Sequence, residues 1–157
     1  MTMTIRQVSS TEIEQVVPLL LLAEPSERAL RWGLQNLSDT VYRAEQDGVL
    51  VAACTMQWRN DPAELMELGV APEQQGRGLG RAIIAWLVEE AGRRGRRELQ
   101  VGTTNSNLRA IAFYQKCGFR MDSVRRDYFR YYREPHYENG IQVRDMLVFR
   151  YQVGVNG

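Results

Sequence analysis

Three glycines, Gly76, Gly78 and Gly80, alternate inside the stretch Val70-Ala71-Pro72-Glu73-Gln74-Gln75-Gly76-Arg77-Gly78-Leu79-Gly80-Arg81, and a helical pattern follows at once. Glycine permits positive φ and lets backbone N–H groups approach a ligand closely, and a helix starting near Leu79 aims its free amides and positive dipole end at the same point. Arg77 and Arg81 add positive charge there. The stretch therefore reads as an anion cradle, for a phosphate or pyrophosphate carried by a cofactor or substrate. Two common phosphate motifs share this layout and neither fits. A P-loop needs Lys and then Ser or Thr after its last glycine, where this chain has Arg81-Ala82, and a dinucleotide fingerprint needs a third glycine where Ile83 stands.

The cradle requires a strand before it and a helix after it. Met66, Leu68 and Val70 alternate toward one side, as in a strand, until Pro72 ends the run. Gly69 within it reads as a bulge or as a packing glycine. Leu79, Ile83, Trp86, Leu87 and Ala91 recur at three- and four-residue steps and form one helix face for a sheet, with Arg81, Glu89 and Arg93 outside it. Around this unit the chain predicts a strand at 4–8, a helix from a capping box at Thr11–Glu14 toward Leu22 with Pro18 inside it, and a second helix capped by Ser26. Strands at 40–46 and 49–58 flank Asp47-Gly48, a strong hairpin signal. A strand at 98–103, a helix at 107–117 stopped by Gly118, and strands at 119–124 and 141–151 complete the pattern.

Gln75-Gly76-Arg77-Gly78-Leu79-Gly80 also matches, without a gap, the Gln/Arg-x-x-Gly-x-Gly/Ala signature of the GNAT superfamily of N-acetyltransferases. Downstream, Asn107, Ala110, Tyr114, Gly118 and Phe119 occupy every position of that superfamily's second signature, Asn-x-x-Ala-x-x-x-Tyr-x-x-x-Gly-Phe. Two signatures in the expected order, separated by one helix and one strand, are far more specific than either alone. The chain resembles this superfamily over almost its whole length.

The resemblance implies an α/β fold, with a mixed, mostly antiparallel, splayed central sheet flanked by about four helices, in one domain covering 1–157. It implies acetyl-CoA as co-substrate, lying where two central strands part. Backbone groups of Leu68 and Val70 would face the pantetheine arm, and amides of Gln75, Gly76, Arg77, Gly78, Leu79, Gly80 and Arg81 would hold the pyrophosphate. Asn107 would hydrogen-bond the cofactor, and Tyr114 takes the position of the proton donor to the leaving thiolate. A core tyrosine is the competing reading of Tyr114, given its helical spacing with Ala110 and Cys117. Acetyl transfer also needs a base for the incoming amine, directly or through a water. Glu67, alternating away from Met66 and Leu68, is the candidate, with a strand-edge charge as its plainer reading.

Between Val124 and Ile141 the chain is dense in Tyr and Arg, which suits an acceptor surface or, as the plainer reading, a lid-like loop packing its aromatics on the sheet, and Asn139-Gly140 turns it into the last strand. Tyr128 and Tyr132 are the candidate acceptor contacts, joined by Trp32 on the second helix. In an extended segment Tyr131 would point the other way. The expected reaction is acetylation of a primary amine on a small molecule, peptide or protein, by direct attack in a ternary complex. The alternative is an acyl-CoA-binding sensor without turnover.

Composition excludes several other classes. The 157 residues carry a formal charge of +1, which gives no global field for nucleic acid, and Arg93-Arg94-Gly95-Arg96-Arg97 lacks interleaved aromatics and suits a helix exit. Two cysteines and a single histidine argue against a metal cluster or a disulfide framework. Leu19–Leu22 is too short to span a membrane and no signal pattern opens the chain, so a cytoplasmic protein is expected. The pattern leaves a homodimer open.

Overall fold

The computed structural model describes residues 2–154. Its elements run β1 (Met3–Gln7), α1 (Ile13–Leu20), α2 (Glu27–Asn36), β2 (Thr40–Gln46), β3 (Val49–Gln57), β4 (Ala63–Val70), α3 (Leu79–Arg93), β5 (Glu98–Thr104), α4 (Leu108–Lys116), β6 (Arg120–Arg125), β7 (Tyr137–Glu138), β8 (Ile141–Gln142) and β9 (Met146–Gln152). Seven strands form one sheet in the order β1-β2-β3-β4-β5-β9-β6. Among the described residues β4 and β5 are its parallel pair and the other neighbours are antiparallel. The expected mixed, mostly antiparallel α/β architecture is thus what the chain adopts. No helix among the described residues is long and apolar enough to cross a membrane.

Two apolar layers hold the sheet. On one side Ile83, Ile84 and Leu87 of α3 and Tyr114 of α4 pack with Met56, Leu65, Leu99, Val101 and Phe149. On the other, Val16, Val17 and Leu20 of α1 and Leu30 of α2 pack with Val8 and Ala53. Each large aliphatic side chain buried in this way contributes about 1.5–3 kcal/mol. The sequence periodicity located α3 well. Trp86 sits at the margin of its buried face, edge-on to Tyr42 with ring centroids 5.0 Å apart.

Several local expectations change for identifiable reasons. The first helix is entered through a 3₁₀ turn, Ser10–Glu12, and its capping box uses Ser9 and Glu12 rather than Thr11 and Glu14. Glu12 suits that role because Arg6 holds its carboxyl at about 2, well below the ordinary range, so it stays an acceptor. Ser26 caps α2 as its type requires, accepting from Ala29 N at 3.1 Å. The last strand is broken. Val143 N bonds to His136 O, and Asn105 Oδ1 accepts from Arg144 N and Asp145 N, pulling the chain off the sheet between β8 and β9. Asn139 and Gly140 both take positive φ in the tight β7–β8 turn, as do Asp47 and Gly48 between β2 and β3.

The splay has a specific origin. β4 and β5 pair at Ala63–Leu65 with Leu99–Val101, and beyond Leu65 they part. At that point Thr55 faces Glu67 while Met56 faces Leu65, so Met66 is an extra residue in β4. The bulge therefore lies at Met66, not at Gly69, and it interrupts the simple alternation of Met66, Leu68 and Val70. Gly69 serves close packing instead: a Cβ there would overlap the carbonyl of Leu19, so α1 rests directly on the strand backbone.

Candidate active site

The cradle takes its shape from two of its three glycines. Gly76 and Gly78 have φ of +78° and +81°, and Gly78 is the N-cap of α3. Gly80 lies inside the first turn of α3, and its lack of a side chain lets α4 approach: a Cβ would meet Phe113 Cζ at 3.1 Å. The first helical amide with an intrahelical partner is that of Ala82, bonded to Gly78 O at 3.0 Å. Amides of Leu79, Gly80 and Arg81 therefore open the helix as orphan donors. No acidic side chain stands in the first turn and no side chain caps it. Open space surrounds Gly76 and Gly78. These features fit a pyrophosphate group.

Side chains around the cradle hold the loop together. Gln75 Nε2 donates to Val70 O at 3.0 Å, tying the loop to the end of β4. Arg81 Nη2 donates to Lys116 O at 2.6 Å, so its guanidinium caps α4 instead of lying free over the loop. Arg77 stays at the exposed rim, 3.5 Å from Gln74 Oε1. Asn107 is the N-cap of α4, its Oδ1 accepting from Ala110 N at 3.1 Å.

A cavity of about 1210 Å³ opens where β4 and β5 part. It brings together Trp32, Glu67, Leu68, Asn107, Tyr114, Tyr128 and Tyr132, residues spread over most of the chain. Val70 and the glycine loop lie beyond its lining, at the cradle end. Trp32 is 58% exposed, so it marks the rim.

Tyr114 is both a core residue and a cavity residue. Its ring packs edge-on to Phe113 and Phe119, with centroids 5.1 and 5.6 Å away, and tilts toward Phe149. Burial pushes its phenol well above the ordinary tyrosine range, so the hydroxyl keeps its proton. Glu67 faces the same cavity from β4, with its own backbone N–H donated to Thr55 Oγ1 at 3.1 Å. Burial pushes its carboxyl from 4.5 up to about 7, a Thr55 hydrogen bond opposes the rise, and negative charge on Glu24 and Glu64 adds to it.

The Tyr- and Arg-rich segment is a run of turns rather than an extended strand. Consequently Tyr131 and Tyr132 do not diverge: both hydroxyls donate to Glu24, at 2.9 Å each. Phe129 is buried beneath them, stacked with Tyr132 at 6.2 Å between centroids. From the other side, Glu138 of β7 accepts from Thr104 Oγ1 at 2.6 Å and Ser106 Oγ at 2.8 Å. Glu24, Glu64 and Glu138 all line the cavity and carried no motif signal. The three-residue spacing from Glu64 to Glu67 repeats from Leu65 to Leu68, a pattern that departs from simple strand alternation.

The sequence model of the acetyltransferase (GNAT) family matches residues 11–119. Among individual proteins, the chain is 34% identical over 139 residues to the uncharacterized N-acetyltransferase YvbK of Bacillus subtilis (strain 168), covering 85% of this chain and 86% of that protein. It is 35% identical over 88 residues to the [ribosomal protein bS18]-alanine N-acetyltransferase of Escherichia coli (strain K12), a match spanning 56% of this chain and 60% of that one. Among solved structures, a GNAT family acetyltransferase from Elizabethkingia anophelis with acetyl-CoA bound superposes with a TM-score of 0.86 and 29% identity, covering 96% and 97% of the two chains. In agreement with its splayed sheet and glycine cradle, the chain belongs to the GNAT family and is an N-acetyltransferase with acetyl-CoA as its co-substrate.

Proposed function

We propose that the enzyme acetylates a primary amine by direct attack in a ternary complex, with Glu67 as the base and Tyr114 as the proton donor. The observation carrying this reading is that Glu67 and Tyr114 line one cavity at the place where β4 and β5 separate. Acetyl-CoA supplies an activated thioester carbonyl when bound. Orphan amides at the start of α3 would hold its pyrophosphate, and the unpaired edge of β4 from Leu68 to Val70 would run beside its pantetheine arm. An acceptor amine arrives largely as ammonium and must lose a proton before it can attack. Glu67, with a pKa of about 7, takes that proton near neutral pH. As the new N–C bond forms and the C–S bond breaks, the Tyr114 hydroxyl gives its proton to the departing sulfur, and the acylated nitrogen releases its second proton to solvent. Glu67 reaches this cavity from β4 and Tyr114 from α4, so the proposed base and acid are supplied by different elements.

The test is calorimetry with acetyl-CoA followed by a free-thiol release assay over an amine library at saturating co-substrate. Micromolar binding and turnover of at least one primary amine are expected. Binding with no thiol release for any amine would sink the reading. The cradle is tested separately. Gly78→Val should weaken acetyl-CoA binding by about tenfold or more, because a β-branched residue resists φ near +81° and withdraws the loop amides. A calorimetric Kd equal to that of the parent, with helix content unchanged, would place the pyrophosphate elsewhere.

A further inference from the structure

We infer that the acceptor is a small diamine or polyamine, carrying a second cationic nitrogen besides the one that is acetylated. This rests on the acceptor reading of the cavity given above and adds the chemical class. The base needs one carboxylate, and besides the exposed Asp127 the cavity lining carries three more glutamates. Glu64 shares the cavity with Glu67 because of the Met66 bulge, Glu24 enters from the turn after α1, and Glu138 enters from the β7–β8 hairpin. Glu24, Glu64 and Glu67 line this one cavity together with Tyr128, whose phenol is pushed up mainly by burial, with the three carboxylates adding to the rise and Arg125 opposing it.

Their hydrogen-bond partners are neutral. Glu24 accepts from Tyr131, Tyr132 and the backbone of Ser26, and Glu64 accepts from the Gln100 amide at 2.6 Å. Ion pairs among the described residues engage twelve carboxylate contacts elsewhere and none of Glu24, Glu64, Glu67 or Glu138. Arg28, Arg126, Arg130 and Arg133 border the same cavity, yet all are exposed and turn no guanidinium onto these carboxylates. Negative charge left without a protein cation inside a partly enclosed space is stabilised best by a cation that arrives. Among the described residues no group of carboxylates is arranged to hold a metal ion, so an organic cation suits them, and for an amine acceptor that cation is a further ammonium. Aromatic walls suit them too, because Tyr128, Tyr131, Tyr132 and His136 present ring faces and edges around the same volume. The two phenols bonded to Glu24 draw residues 131–132 against the turn after α1 and close one side of the cavity, which favours a compact acceptor over a polypeptide passing through it.

The experiment is steady-state thiol release at saturating acetyl-CoA with 1,4-diaminobutane, spermidine, butylamine and an alanine-initiated peptide. We expect kcat/KM for the two multiply charged amines to exceed that for butylamine by about tenfold or more. Glu24→Gln should shrink that ratio through the KM of the diamine. Glu64→Gln, which leaves both tyrosines their acceptor, should shrink it as well and so separates charge from strap geometry. A binding readout accompanies these: N,N,N′,N′-tetramethyl-1,4-diaminobutane, a dication that cannot be acetylated, should bind by calorimetry and weaken as salt is raised. Equal use of butylamine and the diamines, or preference for the peptide, overturns this inference and leaves amine acetylation standing. Failure of every amine overturns the underlying reading with it.

Discussion

Replacing Tyr114 by Phe should lower kcat by about ten- to a thousand-fold while leaving the Kd for acetyl-CoA within about twofold. The ring is held by Phe113, Phe119 and Phe149, and phenylalanine keeps all of those contacts. The substitution removes only the hydroxyl, which has no protein partner among the described residues and is not sealed from the cavity. Burial keeps the phenol protonated throughout the working pH range, which is the state a donor to thiolate requires. The measurement is steady-state kinetics at saturating co-substrate, with thermal unfolding alongside. Unchanged turnover on a good acceptor would return Tyr114 to a packing role, and a fall in melting temperature that accounts for the lost activity would do the same.

What was readable in the sequence divides along the range of the interactions. The glycine loop, α3 and the two hairpin turns rest on contacts within a few residues, and the strand–loop–helix order around Gly78 appears as the pattern requires. The helix α4 was readable because it lies between an Asn cap and a positive-φ Gly118, both local signals, whereas Tyr114 stood out only through its place in the family's second signature. Side-chain assignments inside the motifs were less transparent. Arg81 belongs to the cradle by position, but its guanidinium spends itself on the carbonyl of Lys116, a partner supplied by a different helix. Glu24 shows the limit most clearly. Its bonds to Tyr131 and Tyr132 cross more than a hundred residues, and nothing near Glu24 in the chain announces them. The break between β8 and β9 has the same character, since Asn105 imposes it from β5's far end. Of the two readings of Gly69, packing rather than a bulge is the one the fold adopts, and alternation gave no sign of the extra residue at Met66, which changes which neighbours share a face.

Glu67→Gln should lower kcat/KM by about a hundredfold or more near pH 8 and remove an ionisation from the pH profile. With its carboxyl at about 7 in the free enzyme, the parent's kcat/KM should rise with pH below that value, as the carboxylate forms, and flatten above it. A bound acceptor ammonium would favour the charged carboxylate, so the inflection in kcat should lie lower than the inflection in kcat/KM. In the Gln variant the remaining pH dependence should follow the acceptor amine alone, still rising well above neutrality. Stability moves the opposite way. Because the folded state holds the Glu67 proton above the ordinary value of 4.5, the native protein binds more protons than the unfolded chain between that value and about 7. Its contribution to stability is therefore greatest below 4.5 and is lost as pH rises to about 7. At pH 8 the Gln variant should melt no lower than the parent and retain acetyl-CoA binding, which separates a lost base from a damaged fold. A variant that keeps both the activity and the inflection near pH 7 would exclude Glu67 as the base and point to a water held by other cavity groups.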